Sequence, residues 1–286
     1  MLAANLWTNS IDFMILNSKI KNGIFISILC VIAVTVCSRV IWTRVQENKR
    51  GSRVAYWRMT TWPAERKLTA EKVKAGQAED ETHGAVTIDL KPYINAKLTE
   101  APSCWKGNDA DNLDELPAGT NVYAGVPFDV EGSIQLMGGH LQHWGKSFPT
   151  EVESITINRK CTKVYLLHAA SGVEPDEYGT TLAKLLIHYG DNSTEEIDLV
   201  AGKQVFDWWF PTFTTGVPAS LRTPAPDTEL AWIGSNPYLR QYEPDNSLCL
   251  YRTSIENPKP GVSISSLDYV STLTFSAPFL VGLTVE

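Results

Sequence analysis

From residue 86 onward, apolar and polar side chains exchange places over short runs that are cut by Gly, Pro, Asn and Asp. Val86-Thr87-Ile88-Asp89-Leu90 alternates strictly, which sets every second side chain on one face of a strand. The clearest unit is a hairpin: Leu182–Tyr189 and Thr194–Val200 flank Gly190-Asp191-Asn192-Ser193, a set of residues that tolerates tight reversal and positive φ. Leu116-Pro117 and Gly119 with Val126–Val130 read as an ordered loop feeding a strand, and Gly132–Leu136, Ser154–Asn158, Lys163–His168, Leu230–Ile233, Leu248–Tyr251, Val262–Val270 and Phe279–Val285 read as further strands. No long amphipathic helix interrupts them. Roughly nine to eleven short strands at this spacing predict an all-β fold, an antiparallel β-sandwich of the jelly-roll kind over 86–286. The last strand runs to the end of the sequence, so the C-terminus is expected to be locked into a sheet.

The pattern before residue 86 is of another kind. Residues 24–38 (IFISILCVIAVTVCS) form the one long apolar run, preceded by Lys19 and Lys21 and extended by Val40, Ile41 and Trp42. With Arg39 as its sole charge, the stretch 24–42 approaches the ~20 residues that cross a bilayer. It reads as a signal-anchor helix, or as a cleaved signal peptide with Val36-Cys37-Ser38 near the cleavage point and Met14 as an alternative start. Trp62-Pro63-Ala64-Glu65 then opens helix-forming sequence in which Leu68 and Val73 are the only large apolar residues. Such a helix is a solvated spacer rather than a packed element. The expected organisation is a membrane or signal segment over 1–42, a polar, partly helical stalk over 43–85 and the sandwich over 86–286.

Charge sharpens that division. Of the 25 basic and 32 acidic residues, 12 and 7 fall in 1–85, leaving 13 and 25 in 86–286. An acidic domain does not offer the basic face that phosphate neutralisation requires, so a nucleic-acid partner is not expected. Arg39, Arg44, Lys49, Arg50, Arg53 and Arg58 crowd the C-terminal flank of the apolar run, which the positive-inside rule would hold in the cytoplasm. A β-rich acidic domain behind such a segment points instead to export, and a membrane-anchored or exported domain on the extracytoplasmic side is the expectation. Cys104, Cys161 and Cys249 are an odd set in the domain, compatible with one internal disulfide at most.

Several stretches carry a family likeness: IDLKPY (88–93), LPAG (116–119), GVPFDVEGSIQL (125–136), INRKCTKVYLLHA (157–169), DWW (207–209), AWIGSNP (231–237), ENPKP (256–260) and SAPFLVGLTVE (276–286). Together they resemble bacterial accessory β-sandwich domains related to the galactose-binding-like jelly rolls, which include carbohydrate-binding modules. The resemblance implies attachment to exported or membrane-anchored proteins and, in some members, carbohydrate recognition. It brings no catalytic motif with it. GGHLQHWGKSFP (138–149) is an insertion relative to that pattern.

Candidate chemistry follows from residue type. A pyranose stacks on an indole face while polar groups bond its hydroxyls, and Asp207-Trp208-Trp209-Phe210-Pro211 is the densest aromatic cluster. Adjacent residues of a strand point to opposite faces, so one indole is expected inside and the other outside; if Trp209 faces out, Asp207 shares its side. Trp105 and Trp144, in polar Gly-bearing stretches, are the next platforms, whereas Trp232 in an apolar strand reads as core. Residues 108–115 (NDADNLDE) gather carboxylates and amides, and Asp109, Asp111 and Asp114 are weak calcium candidates; the spacing is not that of an EF-hand. His140 and His143 raise a metal question, but their glycine neighbours read as a loop and no third ligand adjoins them. GxSxG, HExxH, P-loop and GxGxxG motifs are absent from the sequence, so no enzyme is expected. Non-catalytic recognition of a glycan or surface polymer is the leading expectation. The alternative is an interaction or structural module that docks an envelope protein and has no sugar site.

Overall fold

The computed structural model describes residues 84–100, 110–210, 217–221 and 223–286. The apolar run 24–42, the stalk up to residue 83, Trp105, Asp109 and Cys104 lie outside the described residues. Among the described residues no helix is long and apolar enough to cross a membrane.

In chain order the strands are β1 (Val86–Thr87), β2 (Gly119–Tyr123), β3 (Val126–Val130), β4 (Ile134–Gln135), β5 (Glu151–Arg159), β6 (Lys163–Ser171) and β7 (Thr181–Tyr189). They continue as β8 (Thr194–Val200), β9 (Trp209–Phe210), β10 (Thr228–Gly234), β11 (Ser247–Glu256), β12 (Ile264–Ser271) and β13 (Ala277–Val285). Two short helices, α1 (Gly139–His143) and α2 (Pro237–Tyr242), interrupt them. The residues 138–149, read from sequence as a loop, therefore begin with a helical turn. The fold is all-β and sandwich-like, with every pairing between these strands antiparallel.

One sheet runs β5-β12-β7-β8; the larger runs β1-β13-β6-β11-β10, with β4 added on β13 and β9 on β11. Alternation along the strands builds the core between them. Val164 and Leu166 of β6 and Leu283 and Val285 of β13 meet Ile155 and Ile157, Leu185 and Ile187, and Leu267 and Tyr269 from the small sheet. The outer face of the small sheet is polar, as the exposed–buried alternation of β8 shows.

In the larger sheet the middle strands β6 and β13 are covered on both faces. Tyr165, Leu167 and Ala169 of β6 and Phe279 and Val281 of β13 point away from the first core into a second one, closed by the β2–β3 hairpin (Tyr123, Val126, Phe128, Val130), Leu113, Leu116 and Leu239 of α2. Every residue of β13 is consequently buried. A bulge between Leu280 and Gly282 re-phases β13 between the two cores. A Cβ on Gly282 would lie 2.9 Å from the Phe128 ring, so glycine is what lets the hairpin sit down on the sheet. Cys161 and Cys249 are buried.

The ends of the sandwich differ. One end holds the start of β1, the end of β13 and the β7–β8 turn. There the Glu286 carbonyl accepts from the Lys163 backbone N–H (3.1 Å) and the Tyr165 hydroxyl donates to its carboxylate (2.5 Å). The C-terminus is thus pinned in the sheet. The other end gathers the last residue of β6, the first of β11 and β13, and both helices, since Ala277 pairs with Ser171 and Ser247 with Phe210.

Candidate ligand-binding end of the sandwich

The Asp207-Trp208-Trp209 segment lies at this second end. It edges along β6 and β11: Trp208 N–H donates to Ala170 O (2.9 Å), and Cys249 N–H donates to Trp208 O (2.7 Å). Trp208 turns inward, 1% exposed, with its indole edge-on to Phe279 at 6.2 Å. Its ring belongs to the second core and offers no face to a ligand. Trp209 is half-buried and packs against the same core, at its margin.

Asp207 does not present hydroxyl acceptors beside Trp209. Its carboxylate is buried, and Oδ1 accepts from Trp209 N–H (2.7 Å) while Oδ2 accepts from Val173 N–H (2.8 Å). Burial pushes the carboxyl up to about 7 despite those donors. Its work is to clip the Trp209 backbone to the turn after β6.

What flanks Trp209 was not legible as a site. The Tyr238 ring lies 5.9 Å from the Trp209 ring, tilted by 39°, and Tyr242 lies 5.1 Å beyond it, tilted by 41°. Tyr242 is 59% exposed. The two tyrosines are four apart on α2, which puts them on one face of the helix. Three aromatic rings therefore form a strip that runs from half-buried to open. Trp209 Nε1 finds no hydrogen-bond partner among the described residues.

The acid-rich loop read as a calcium candidate holds this strip in place. Asn236 caps α2, its Oδ1 accepting from Leu239 N–H at 2.7 Å. The same side chain donates through Nδ2 to Asp111 Oδ1 (2.9 Å) and Asn112 O (3.1 Å). Glu115 accepts from Ser235 N–H (3.0 Å) and pairs with Arg240. Asp111 is buried whereas Asp114 is exposed. Among the described residues, no three His, Cys, Asp or Glu side chains are grouped so as to hold a metal ion.

Trp144 follows α1 and is 38% exposed, edge-on to His143 at 5.3 Å. His140 is buried, with Nδ1 2.9 Å from Phe275 O and Nε2 3.1 Å from Ser171 Oγ, while His143 is exposed. The two histidines do not present a shared ligand face. Burial keeps His140 below the usual imidazole range, and pushes His168, bonded through Nε2 to Thr253 Oγ1 (2.8 Å), down to about 3.

A cleft of about 480 Å³ opens elsewhere, lined among others by Asp198, Gln204, Asp227, Arg252 and Glu256. Arg252 pairs with Glu229 and lies 5.9 Å over the Tyr165 ring. Among the described residues, no aromatic side chain lines the cleft.

No protein-family model, curated protein or solved structure matches this chain.

Proposed function

We propose that the chain is a non-catalytic binding protein of the cell envelope whose sandwich recognises a glycan or related surface polymer. The Trp209–Tyr238–Tyr242 strip carries this reading. Flat, polarisable rings in sequence give successive pyranoses a stacking surface, and the tyrosine hydroxyls and the Glu115–Arg240 pair supply polar contacts along it. A jelly-roll topology is part of the proposal. The orders β1-β13-β6-β11 and β5-β12-β7-β8 support it, because they interleave early and late strands in two sheets as paired Greek keys do. Attachment through residues 24–42, with the domain on the extracytoplasmic side, rests on the sequence pattern alone.

The test is retention of the full chain on immobilised polysaccharides, followed by a glycan array for the best of them. Trp209→Ala and Tyr242→Ala are each expected to lower retention at least tenfold on a polysaccharide that holds the native chain, with unchanged far-ultraviolet circular dichroism. If the native chain is held by none, or both variants are held as well as the native chain, the glycan reading fails.

A further inference from the structure

Four of the five exposed large apolar side chains among the described residues sit at the aromatic end of the sandwich. Tyr242 belongs to the strip. Trp144, Leu273 and Phe275 do not: they project from α1 and from the β12–β13 connection, with Leu273 56% and Phe275 47% exposed.

The chain holds these side chains in water by force. Leu273 has φ +59, a left-handed conformation that a leucine rarely adopts. The connection is braced from both sides of the sandwich. Thr272 donates through N–H to Leu182 O (3.1 Å) and through Oγ1 to Thr181 O (2.6 Å). Gly139 N–H donates to Thr274 O (2.8 Å), and His140 N–H to Phe275 O (2.9 Å). Ser276 donates from N–H and Oγ to the inward-turned Glu177 carboxylate at 3.0 and 2.6 Å. Gly138 completes the seat, since any Cβ there would collide with the Ser276 carbonyl.

The two segments that build this tip differ in charge from the rest of the domain. No Asp or Glu occurs from Gly132 to Thr150 or from Tyr269 to Val285, and Lys146 is the only formally charged side chain in either stretch. Both run through a domain with 25 acidic residues. An aromatic and aliphatic tip with a cation, whose one contacting carboxylate (Glu177) is buried against Ser276, and whose backbone is bonded to protein at Thr272, Thr274, Phe275 and Ser276, fits a lipid surface. Tryptophan favours the headgroup level, Leu and Phe the acyl boundary and Lys anionic headgroups, while bonded backbone groups do not resist leaving water.

We propose that α1 and the β12–β13 connection form a lipid-contacting tip in which Leu273 and Phe275 enter the bilayer boundary beside Trp144 and Lys146. The test uses the full chain reconstituted in vesicles of equal parts phosphatidylcholine and phosphatidylglycerol. An environment-sensitive fluorophore is attached at Leu273→Cys or, as a control, at Asn192→Cys on the β7–β8 turn at the opposite end. Cys30, Cys37 and Cys104 are replaced by Ser, and the buried Cys161 and Cys249 are left in place. The label at 273 is expected to shift to the blue and to be quenched by nitroxide-bearing lipid at least threefold more than the label at 192. Adding Trp144→Ser and Phe275→Ser is expected to abolish that difference with no change in melting temperature. Equal quenching at both positions, no quenching at 273, or a shift that follows protein concentration rather than lipid overturns the proposal; the last assigns the tip to self-association.

Discussion

The two oxygens of Asp207 accept backbone N–H groups from Trp209 and Val173, so an acidic residue that reads as a sugar contact is a fastening of the main chain. Replacing it by Asn turns one acceptor into a donor facing an N–H, at a cost of roughly 1–3 kcal/mol. Its protonation has a defined sign. The folded carboxyl is held up to about 7 against an unfolded value of about 3.9, so the folded state takes up a proton and stability declines as pH rises between those values. His168 has the opposite slope: at about 3 folded against about 6.5 unfolded, its contribution is present above 6.5 and is lost as pH falls toward 3. The two oppose each other between about pH 4 and 6.5. Asp207→Asn removes one of them, and the variant is expected to lose stability on acidification more steeply than the native chain. His168→Gln is expected to lose less. Urea midpoints measured across that range check both, and parallel curves for all three chains would refute the assignment.

At the scale of elements, α2 is the part whose importance the sequence hides. It is six residues long, opened by Asn236 and Pro237, and too short for its one buried apolar residue, Leu239, to form a periodic stripe that announces it. Its stability comes from the cap and from the acidic loop that holds the cap. Asn236→Ala is therefore expected to cost about 1–2 kcal/mol and to weaken polysaccharide retention with Trp209, Tyr238 and Tyr242 all intact. Asn236→Ser keeps an acceptor for Leu239 N–H and is expected to recover most of both; melting curves and retention measured together separate the cases. The strands were legible because alternation and turn chemistry agree, as in the β7–β8 hairpin. Trp209 was legible only as an aromatic candidate, and it is half-buried against the second core beside Trp208. Tyr238 and Tyr242 were not, since their proximity to Trp209 depends on the long-range bond from Asn236 to Asp111. The run of oxygen donors around that bond offered only a weak calcium candidate beside a solvated, helix-capping loop, because the same side chains serve calcium and helix caps alike.

For the molecule as a whole, the unforeseen feature is a third layer. Two stacked sheets follow from strand count and alternation, but β6 and β13 carry almost no polar side chain on either face. Runs such as KVYLLHAAS and APFLVGLTV are those of strands covered twice, and the cover is the β2–β3 hairpin with α2. Trp208 sits in that second core, which makes it a measure of how firmly the outer layer is held. Trp208→Ala is expected to destabilise the domain by about 3–5 kcal/mol in denaturant unfolding, against about 1 kcal/mol for Trp209→Ala. Similar losses for the two would show that the outer layer is not packed as described.

The pairing of Val86 with Val285 fixes where the described chain enters the sandwich, at the pole remote from Trp209, Trp144 and Phe275. Coupling the protein to a bead or chip on the amino-terminal side of Ala85 would accordingly leave the aromatic pole facing the bulk solution. A load applied at Glu286 would instead pull on the strand where it is stitched to Lys163 and Tyr165.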